Sequence, residues 1–452
     1  MARTIAARTI SAKPSPTKAL AVKTRQANMA NTAPIGAGWR DLEPSLAEVG
    51  RKYPAFPPMV LLKTDVQRRG VAYTPEALAH VNPAKHMTTI RSNYYDSAGA
   101  QPVSLTLRDG TSLYLEGFLE DGHREPYVVD HDGRRAFLTD RGEALEEVEY
   151  WEKPAFYDKF TRSGKPMWQI VSARPQRYTI HPKQFCDFWK FKGQGCKFCA
   201  MDANFRKNRK EPLLSVDDVV ETVAEALKEP GASQSLFFTG GSLLGGKDPF
   251  GRGQGDPLGA ELELYLGLLK ALGQFFGNGK FPSQLISTAF DERGLRRLWE
   301  ETGLMSYTAD LEVLDEKLFG WICPGKAKLI GYRGWKERLV AAADIFGRGN
   351  VNTGLVGGVE LAKPKGFATE DEALEATLSE AASLIKHGVW VVSCVWRVLG
   401  GSVFFGQKTP SLDYYARLSL GLDGLRRAAN IPADLDNYRR CGNHPDTDLA
   451  RV

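Results

Sequence analysis

The chain of 452 residues is 42% hydrophobic, which is enough to bury a large core. Its 59 Lys and Arg residues against 54 Asp and Glu give a formal net charge of +5, too even a balance to favour nucleic acid as a partner. Six cysteines are too few for a secreted disulfide scaffold, and no apolar run approaches the roughly 18 residues of a membrane span. The sequence therefore predicts a cytoplasmic protein without a membrane segment.

The two ends of the chain differ in composition from the rest. Residues 1–35 contain no Asp or Glu but many Lys, Arg, Ala, Ser and Thr, which predicts a disordered basic tail or a targeting segment. If the segment is a transit peptide, the protein resides in an organellar matrix. Residues 431–452 are polar and are predicted to form a C-terminal tail.

Residues 36–170 are rich in strand and turn patterns. Alternating polar and apolar residues flank Asp109-Gly110, which is a strong hairpin pattern, and a second turn follows at Asp132-Gly133. This segment is predicted to be a small β-rich accessory domain. It contains no motif with an evident chemical role.

In residues 171–430, short apolar runs alternate with helical stretches, a pattern typical of β/α units with parallel strands. In such folds the loops after the carboxyl ends of the strands build the active site. The predicted strands are 178–181, 235–239, 284–288, 304–308, 351–357 and 389–396, and the predicted helices are 216–227, 261–275, 292–301, 335–346, 370–387 and 412–429.

Three cysteines follow the first of these strands. Cys196 and Cys199 have the C-x-x-C spacing that lets two thiolates bind one metal centre, and Cys186 adds a third thiolate across a glycine-containing loop. Three protein ligands leave one coordination position open, which favours a catalytic centre. The alternative is a zinc-stabilised binding module with Cys3His ligation through His181, with the basic aromatic stretch 188–192 as a surface for RNA.

The cysteine segment, with aromatic Phe198 before the last cysteine, resembles the radical S-adenosylmethionine (SAM) superfamily, although its first gap of nine residues, 187–195, is longer than the common C-x3-C-x2-C pattern. The resemblance implies a full or partial (β/α) barrel, and six predicted strands suit a partial (β/α)6 TIM-like barrel after the β-rich N-terminal domain. It implies that Cys186, Cys196 and Cys199 hold a [4Fe–4S] cluster whose fourth iron binds SAM. Reductive cleavage of SAM would give a 5′-deoxyadenosyl radical that abstracts hydrogen from a substrate.

A glycine-rich stretch follows the second predicted strand. Gly240-Gly241-Ser242 resembles the superfamily segment whose backbone meets the methionine amino group of SAM, with Ser242 in place of an acidic residue. The same stretch matches most of a phosphate-binding loop, but Asp248 stands where Ser or Thr must bind magnesium. An acidic side chain there would repel phosphate, so the nucleotide-binding interpretation is disfavoured.

The remaining SAM contacts are implied by the resemblance to the branch that contains biotin synthase, the thiamine-pathway tyrosine lyase and the hydrogenase maturase. Glu312 would face the methionine amino group, Arg338 would pair with the SAM carboxylate, and Gly354 would make room for adenine. The full predicted set of cofactor-binding residues is Phe198, Gly240, Gly241, Ser242, Ser287, Glu312, Arg338, Gly354 and Val356.

The other cysteines carry less information. Cys394 and Trp396 share one face of the last predicted strand, so Cys394 is a catalytic candidate if that face points inward, although a buried core cysteine is the commoner case. Cys323, Cys394 and Cys441 are too scattered along the chain to predict a second cluster. The predicted partners are a small-molecule or peptide substrate and an electron donor such as flavodoxin or ferredoxin.

Overall fold

The computed structural model describes residues 43–88, 101–108, 110–114, 124–174, 177–208, 212–229, 235–251, 255–277, 280–432, 444 and 448–450. The predicted basic tail, Asp109 of the first predicted turn, and Cys441 lie outside the described residues, as does most of the predicted C-terminal tail. None of the described helices is long and apolar enough to cross a membrane.

The first sheet is built from β1 (Val71–Tyr73), β2 (Ser104–Leu107), β3 (Ser112–Tyr114), β4 (Tyr127–His131), β5 (Ala136–Asp140) and β6 (Glu143–Tyr150). Its order is β1-β4-β5-β6-β2-β3, and only β1 pairs in parallel, with β4. The strands on either side of each predicted Asp-Gly turn, β2 with β3 and β4 with β5, pair antiparallel. Three helices that were not predicted accompany this sheet: α1 (Leu46–Lys52), α2 (Pro58–Arg69) and α3 (Pro75–Ala79).

The second sheet is built from β7 (Val171–Arg174), β8 (Arg177–Ile180), β9 (Leu236–Phe238), β10 (Phe281–Ile286), β11 (Leu304–Thr308), β12 (Val351–Gly357) and β13 (Val389–Val395). Strands β8 to β13 are neighbours in chain order and pair in parallel. The predicted α/β class is confirmed, with the sheet curled like a half-barrel. Prediction missed β7, which pairs antiparallel with β8 at the edge of the sheet.

The helices of this second region are α4 (Met201–Asn208), α5 (Val216–Ala226), α6 (Gly259–Gly273), α7 (Glu292–Glu301), α8 (Glu316–Ile322), α9 (Pro324–Leu329), α10 (Tyr332–Phe346), α11 (Glu370–Lys386) and α12 (Leu412–Ala428). Several begin at a side-chain cap that satisfies an unpaired backbone N–H: the Gly294 N–H donates to Asp291 over 2.9 Å, and Thr369 forms a capping box with Glu372. Prediction missed α4, α8 and α9, which have eight, seven and six residues and too few turns for a helical period to stand out.

The core lies between the second sheet and its helices, and fully buried Trp335 and Trp390 contribute to it. The N-terminal region packs against the end of this core, where α2 contacts α12 and the last strand, β13. Buried Arg124 ties the two regions together by donating to the carbonyl oxygens of Thr409 (2.8 Å) and Pro410 (3.0 Å). The first sheet therefore lies toward the β13 edge, and β7 covers the opposite edge.

Candidate active site

A cavity of about 150 Å³ lies at the carboxyl ends of β8 to β11. Its position is the one that parallel β/α folds use for ligands, because the loops after successive strands meet there. The structure brings many of the predicted residues together in its lining: Cys186, Cys196, Cys199, Phe198, Gly240, Gly241, Ser242, Ser287 and Glu312.

The glycine loop after β9 interlocks with the segment that carries Cys186. The Gly241 N–H donates to the Lys183 carbonyl oxygen over 2.9 Å, and the Asp187 N–H donates to the Ser242 carbonyl oxygen over 2.9 Å. A Cβ atom on Gly241 would lie 2.4 Å from the Cα of Cys186, closer than any side chain can approach. Gly241 is therefore required for the backbone contact that positions the first cysteine.

Cys196 and Cys199 lie on a tight turn that leads into α4. The Cys199 N–H donates to the Cys196 carbonyl oxygen over 3.1 Å, and the Met201 N–H donates to the Cys199 sulfur over 3.4 Å. Before this turn the Trp189 ring lies over Gly195, where a Cβ would come within 2.4 Å of the ring. The long first gap of the motif is thus folded back on itself and returns the chain to the cavity.

The three thiols differ in acidity. Burial raises the pKa of Cys186 to about 11 and raises the pKa of Cys199 further. The pKa of Cys196 is lowered, first by a hydrogen bond with Cys323 and also by the nearby Lys326 ammonium. Metals bind thiolates, so Cys186 and Cys199 must each release a proton when they bind one.

The donor set fits an iron–sulfur cluster. Among the described residues no three His, Cys, Asp or Glu side chains have the spacing that one metal ion requires, and His181, the predicted fourth ligand of a zinc site, does not line the cavity. Three thiols spread around one cavity suit a cluster, because each thiolate then binds a different iron.

Glu312 projects into the same cavity from the loop after β11. Its φ of 70° is unusual for a residue with a side chain, and two backbone bonds to β12 hold it: its N–H donates to Gly354 O and its carbonyl oxygen accepts from Val356 N–H, both over 2.9 Å. Its carboxylate accepts from Lys326 Nζ over 2.7 Å. Burial raises the pKa of Glu312 while Lys326 opposes the rise, and the cavity therefore contains a paired acid and base.

Glu261 supports the cavity from behind, and sequence prediction missed it. This α6 residue is only 1% exposed, and its carboxylate accepts from the N–H groups of Leu243 (2.9 Å) and Thr288 (2.8 Å). The Thr288 hydroxyl in turn donates to Ser242 Oγ over 2.7 Å. Burial raises the pKa of Glu261 to about 7. The one signal in the sequence is an acidic residue within a leucine-rich helix.

Four predicted residues lie outside the cavity lining. Arg338 donates to the Ala289 carbonyl oxygen over 2.8 Å, so its guanidinium reaches the loop after β10. Gly354 N–H donates to Asp310 Oδ1 over 2.7 Å, and that carboxylate occupies the space beside the glycine. Val356 and Cys394 face each other across β12 and β13. The SAM contacts assigned to Arg338, Gly354 and Val356, and a catalytic role for Cys394, remain predictions.

Comparison with known proteins gives one relative in sequence. The chain is 23% identical over 310 residues to bacteriochlorophyllide c C-7(1)-hydroxylase of Chlorobaculum limnaeum, an alignment that covers 66% of this chain and 72% of the hydroxylase. No family model matches.

Several solved structures resemble the chain more distantly. HydG, a maturase of the [FeFe]-hydrogenase, is 16% identical with a TM-score of 0.38, over 56% of this chain and 48% of the maturase, so the chain spans about half of that protein's length. A radical SAM methyltransferase from Sphaerobacter thermophilus is 15% identical with a TM-score of 0.37, over 72% of this chain and 82% of the methyltransferase.

The three thiols that share one cavity fit the cluster site that the resemblance to radical SAM enzymes implies. The sequence relative is an enzyme by name, in agreement with the prediction that this chain is an enzyme. The zinc module is not favoured.

Proposed function

We propose that Cys186, Cys196 and Cys199 hold the [4Fe–4S] cluster and that the enzyme abstracts a hydrogen atom from a C–H bond of a small molecule or peptide. The observation that carries the proposal is the convergence of the three thiols and the Gly240-Gly241 loop on one cavity. When bound, cluster and SAM would supply reductive cleavage of SAM and the abstraction of hydrogen. The sequence relative, named as a hydroxylase of one carbon position, supports chemistry at a C–H bond.

The chain's own residues would orient SAM beside the thiols. The Gly240–Ser242 backbone and the Glu312 carboxylate are the groups we assign to the methionine amino end, since both line the cavity. Lys326 donates to Glu312 and holds its carboxyl group in place. Arg338 approaches from α10, next to the loop that contains Ser287, and we assign it to the SAM carboxylate. The assignment also implies that the second sheet and its helices form a partial (β/α)6 barrel.

Metal analysis with electron paramagnetic resonance tests the assignment. Anaerobically reconstituted protein should be brown and hold about four irons per chain. Its reduced spectrum should change when SAM is added, because SAM would occupy the coordination position that the three thiols leave open. One zinc per chain without iron would replace this proposal with the zinc module.

A reducing compartment suits thiolate ligation, which supports the cytoplasm as the location.

We assign the electron donor to the surface beside the cluster loop. Lys192 and Lys328 are exposed there, and the side chain of Lys190 is 56% exposed. Exposed Val403 and Phe405 lie on a neighbouring loop, which joins the cluster loop through a hydrogen bond to Lys197 O. A basic rim with apolar side chains complements an acidic one-electron donor such as a flavodoxin or ferredoxin.

Charge reversal tests this surface. Lys192→Glu combined with Lys328→Glu should slow reduction of the cluster by an acidic flavodoxin at least tenfold at low salt, with a smaller difference at high salt. Reduction by dithionite, which needs no docking, should be unchanged. The control is Lys228→Glu in the turn after α5, outside this surface. Equal slowing by Lys228→Glu would show that only net charge matters.

A further inference from the structure

Cys323 is a fourth cysteine that the proposed cluster does not use. It lies where α8 meets α9, is 0% exposed, and its N–H donates to the Phe319 carbonyl oxygen over 2.9 Å. In the sequence it is far from the cluster motif. In the fold, the segment that carries it lies directly against the cluster loop.

Two backbone hydrogen bonds set the register between these segments. The Lys197 N–H donates to Ile322 O over 2.9 Å, and the Gly325 N–H donates to Gln194 O over 3.1 Å. Residue 197 thus pairs with 322, and residue 194 with 325, so the two segments run in opposite directions. In this register Cys196 lies opposite Cys323.

The contact between these segments is close. A Cβ on Gly325 would lie 2.5 Å from the Gln194 carbonyl oxygen. Residues that face each other across antiparallel backbone have Cα atoms about 4.5–5.5 Å apart. A disulfide needs roughly 4.4–6.8 Å.

We propose that Cys196 and Cys323 form a disulfide when the cluster is absent. Cys196 lines the cavity, so its thiolate can attack a small disulfide such as oxidised glutathione and release one glutathione thiolate. The Cys323 thiol then gives its proton to the released glutathione thiolate and attacks the Cys196 sulfur of this mixed disulfide. The Cys196–Cys323 bond forms and the second glutathione leaves. Two protein thiols are oxidised, and one glutathione disulfide is reduced to two thiols.

The disulfide would act as a reversible lock on the cluster site. It removes one of the three cluster ligands, so the oxidised chain cannot take up a complete cluster until a thiol reductant reopens the bond. It also protects Cys196 from irreversible oxidation while the site has no iron. The effect on the cluster rests on the proposed function, but formation of the disulfide does not.

Peptide mapping of the full-length protein tests the proposal. Cluster-loaded protein is stripped of iron with a chelator, treated with oxidised glutathione, alkylated after unfolding and digested. We expect a cross-linked peptide containing Cys196 and Cys323, with Cys186 and Cys199 alkylated or carrying glutathione. Cys196 retained as a glutathione adduct, or joined to Cys186 or Cys199, would overturn the proposal.

The Cys323→Ser variant separates this proposal from the assignment of the cluster. The reduced variant should take up as much iron as the wild type, but after the same oxidation its Cys196 should retain glutathione. Loss of iron in Cys323→Ser would make Cys323 a ligand and overturn its role as the resolving thiol. Cys196→Ala tests the cluster assignment separately, through iron content alone.

Discussion

The two halves of the second sheet's carboxyl edge use the same residue type for different purposes. After β9, a Cβ on Gly241 would meet the Cys186 backbone at 2.4 Å, at the wall of the cavity. After β12, a Cβ on Gly358 would meet the Pro410 side chain, also at 2.4 Å. The first glycine lets the loop that carries the Cys186 thiol pack closely, whereas the second lets Pro410 pack closely. A glycine after a strand therefore indicates close approach, and the approaching group decides the function.

The same two regions can be compared through their buried carboxyl groups. Glu261 behind the cavity and Glu360 after β12 are both nearly fully buried, and burial raises the pKa of each to about 7. Glu261 accepts from loop N–H groups at the cavity, while Glu360 accepts from Gly358 N–H (2.9 Å) and the Tyr414 hydroxyl. A raised pKa therefore indicates a buried carboxyl at either place and does not identify the cavity. The three thiols are what distinguish the cavity from the region after β12.

The largest expected effect is loss of the cluster. Cys186→Ala, Cys196→Ala and Cys199→Ala should each lose most of the roughly four irons per chain, because each removes one of three ligands. Cys394→Ala, whose residue lies on β13 outside the cavity lining, is the matched control and should keep its iron. Full iron after Cys186→Ala would show that the nine-residue gap has been assigned wrongly.

Glycine-to-alanine variants test the difference between the two halves of the sheet edge. Gly241→Ala should displace the Cys186 backbone, lower iron content and cost about 1–3 kcal/mol of unfolding free energy. Gly358→Ala, where φ is 102° and Pro410 is close, should be equally destabilising but keep its iron. Gly267→Ala on α6 meets no atom within 4 Å and should stabilise by up to about 1 kcal/mol. Equal iron loss in Gly241→Ala and Gly358→Ala would show that iron is lost through general destabilisation and not through displacement of Cys186.

These contacts show what the sequence can predict. Local patterns predicted the parallel strands, the three cysteines of the cavity and the glycine loop, because each depends on a short periodic or clustered signal. Three contacts join segments far apart in the chain: the backbone bond between Lys197 and Ile322, the support from Glu261, and the ion pair between Glu312 and Lys326. No local pattern encodes such contacts. Strand β7 was missed because its four residues precede the β/α rhythm.

The next effect concerns SAM. Glu312→Gln keeps the size of the side chain but removes its charge, so we expect SAM binding to the cluster-loaded protein to weaken by roughly 1.5–3 kcal/mol. Iron content should be unchanged, since Glu312 is not a cluster ligand. Glu360→Gln, the equally buried carboxyl in the other half, should leave SAM affinity unchanged. SAM titrations followed by electron paramagnetic resonance measure both, and equal weakening in the two variants would remove Glu312 from the SAM site.

The smallest effect is on the pH dependence of stability. The pKa of Glu261 is raised from 4.5 to about 7, so between these values the folded state keeps a proton that the unfolded state has released. Stability therefore falls as pH rises through this window, by at most about 1.4 kcal/mol per pH unit for one proton. Glu261→Gln cannot titrate and should reduce this slope. Glu360→Gln should reduce it similarly, because the pKa of Glu360 is also raised to about 7.

Denaturant unfolding of the iron-free protein at pH 5.5 and 6.5 measures both slopes. The two variants should differ when the cluster is reconstituted. Only Glu261→Gln should slow iron uptake, because Glu261 holds the loop next to Cys186 and Glu360 does not. An unchanged slope in Glu261→Gln would mean that the carboxyl is already ionised in the fold. Equal iron uptake by the two variants would show that Glu261 contributes to stability and not to assembly of the cluster site.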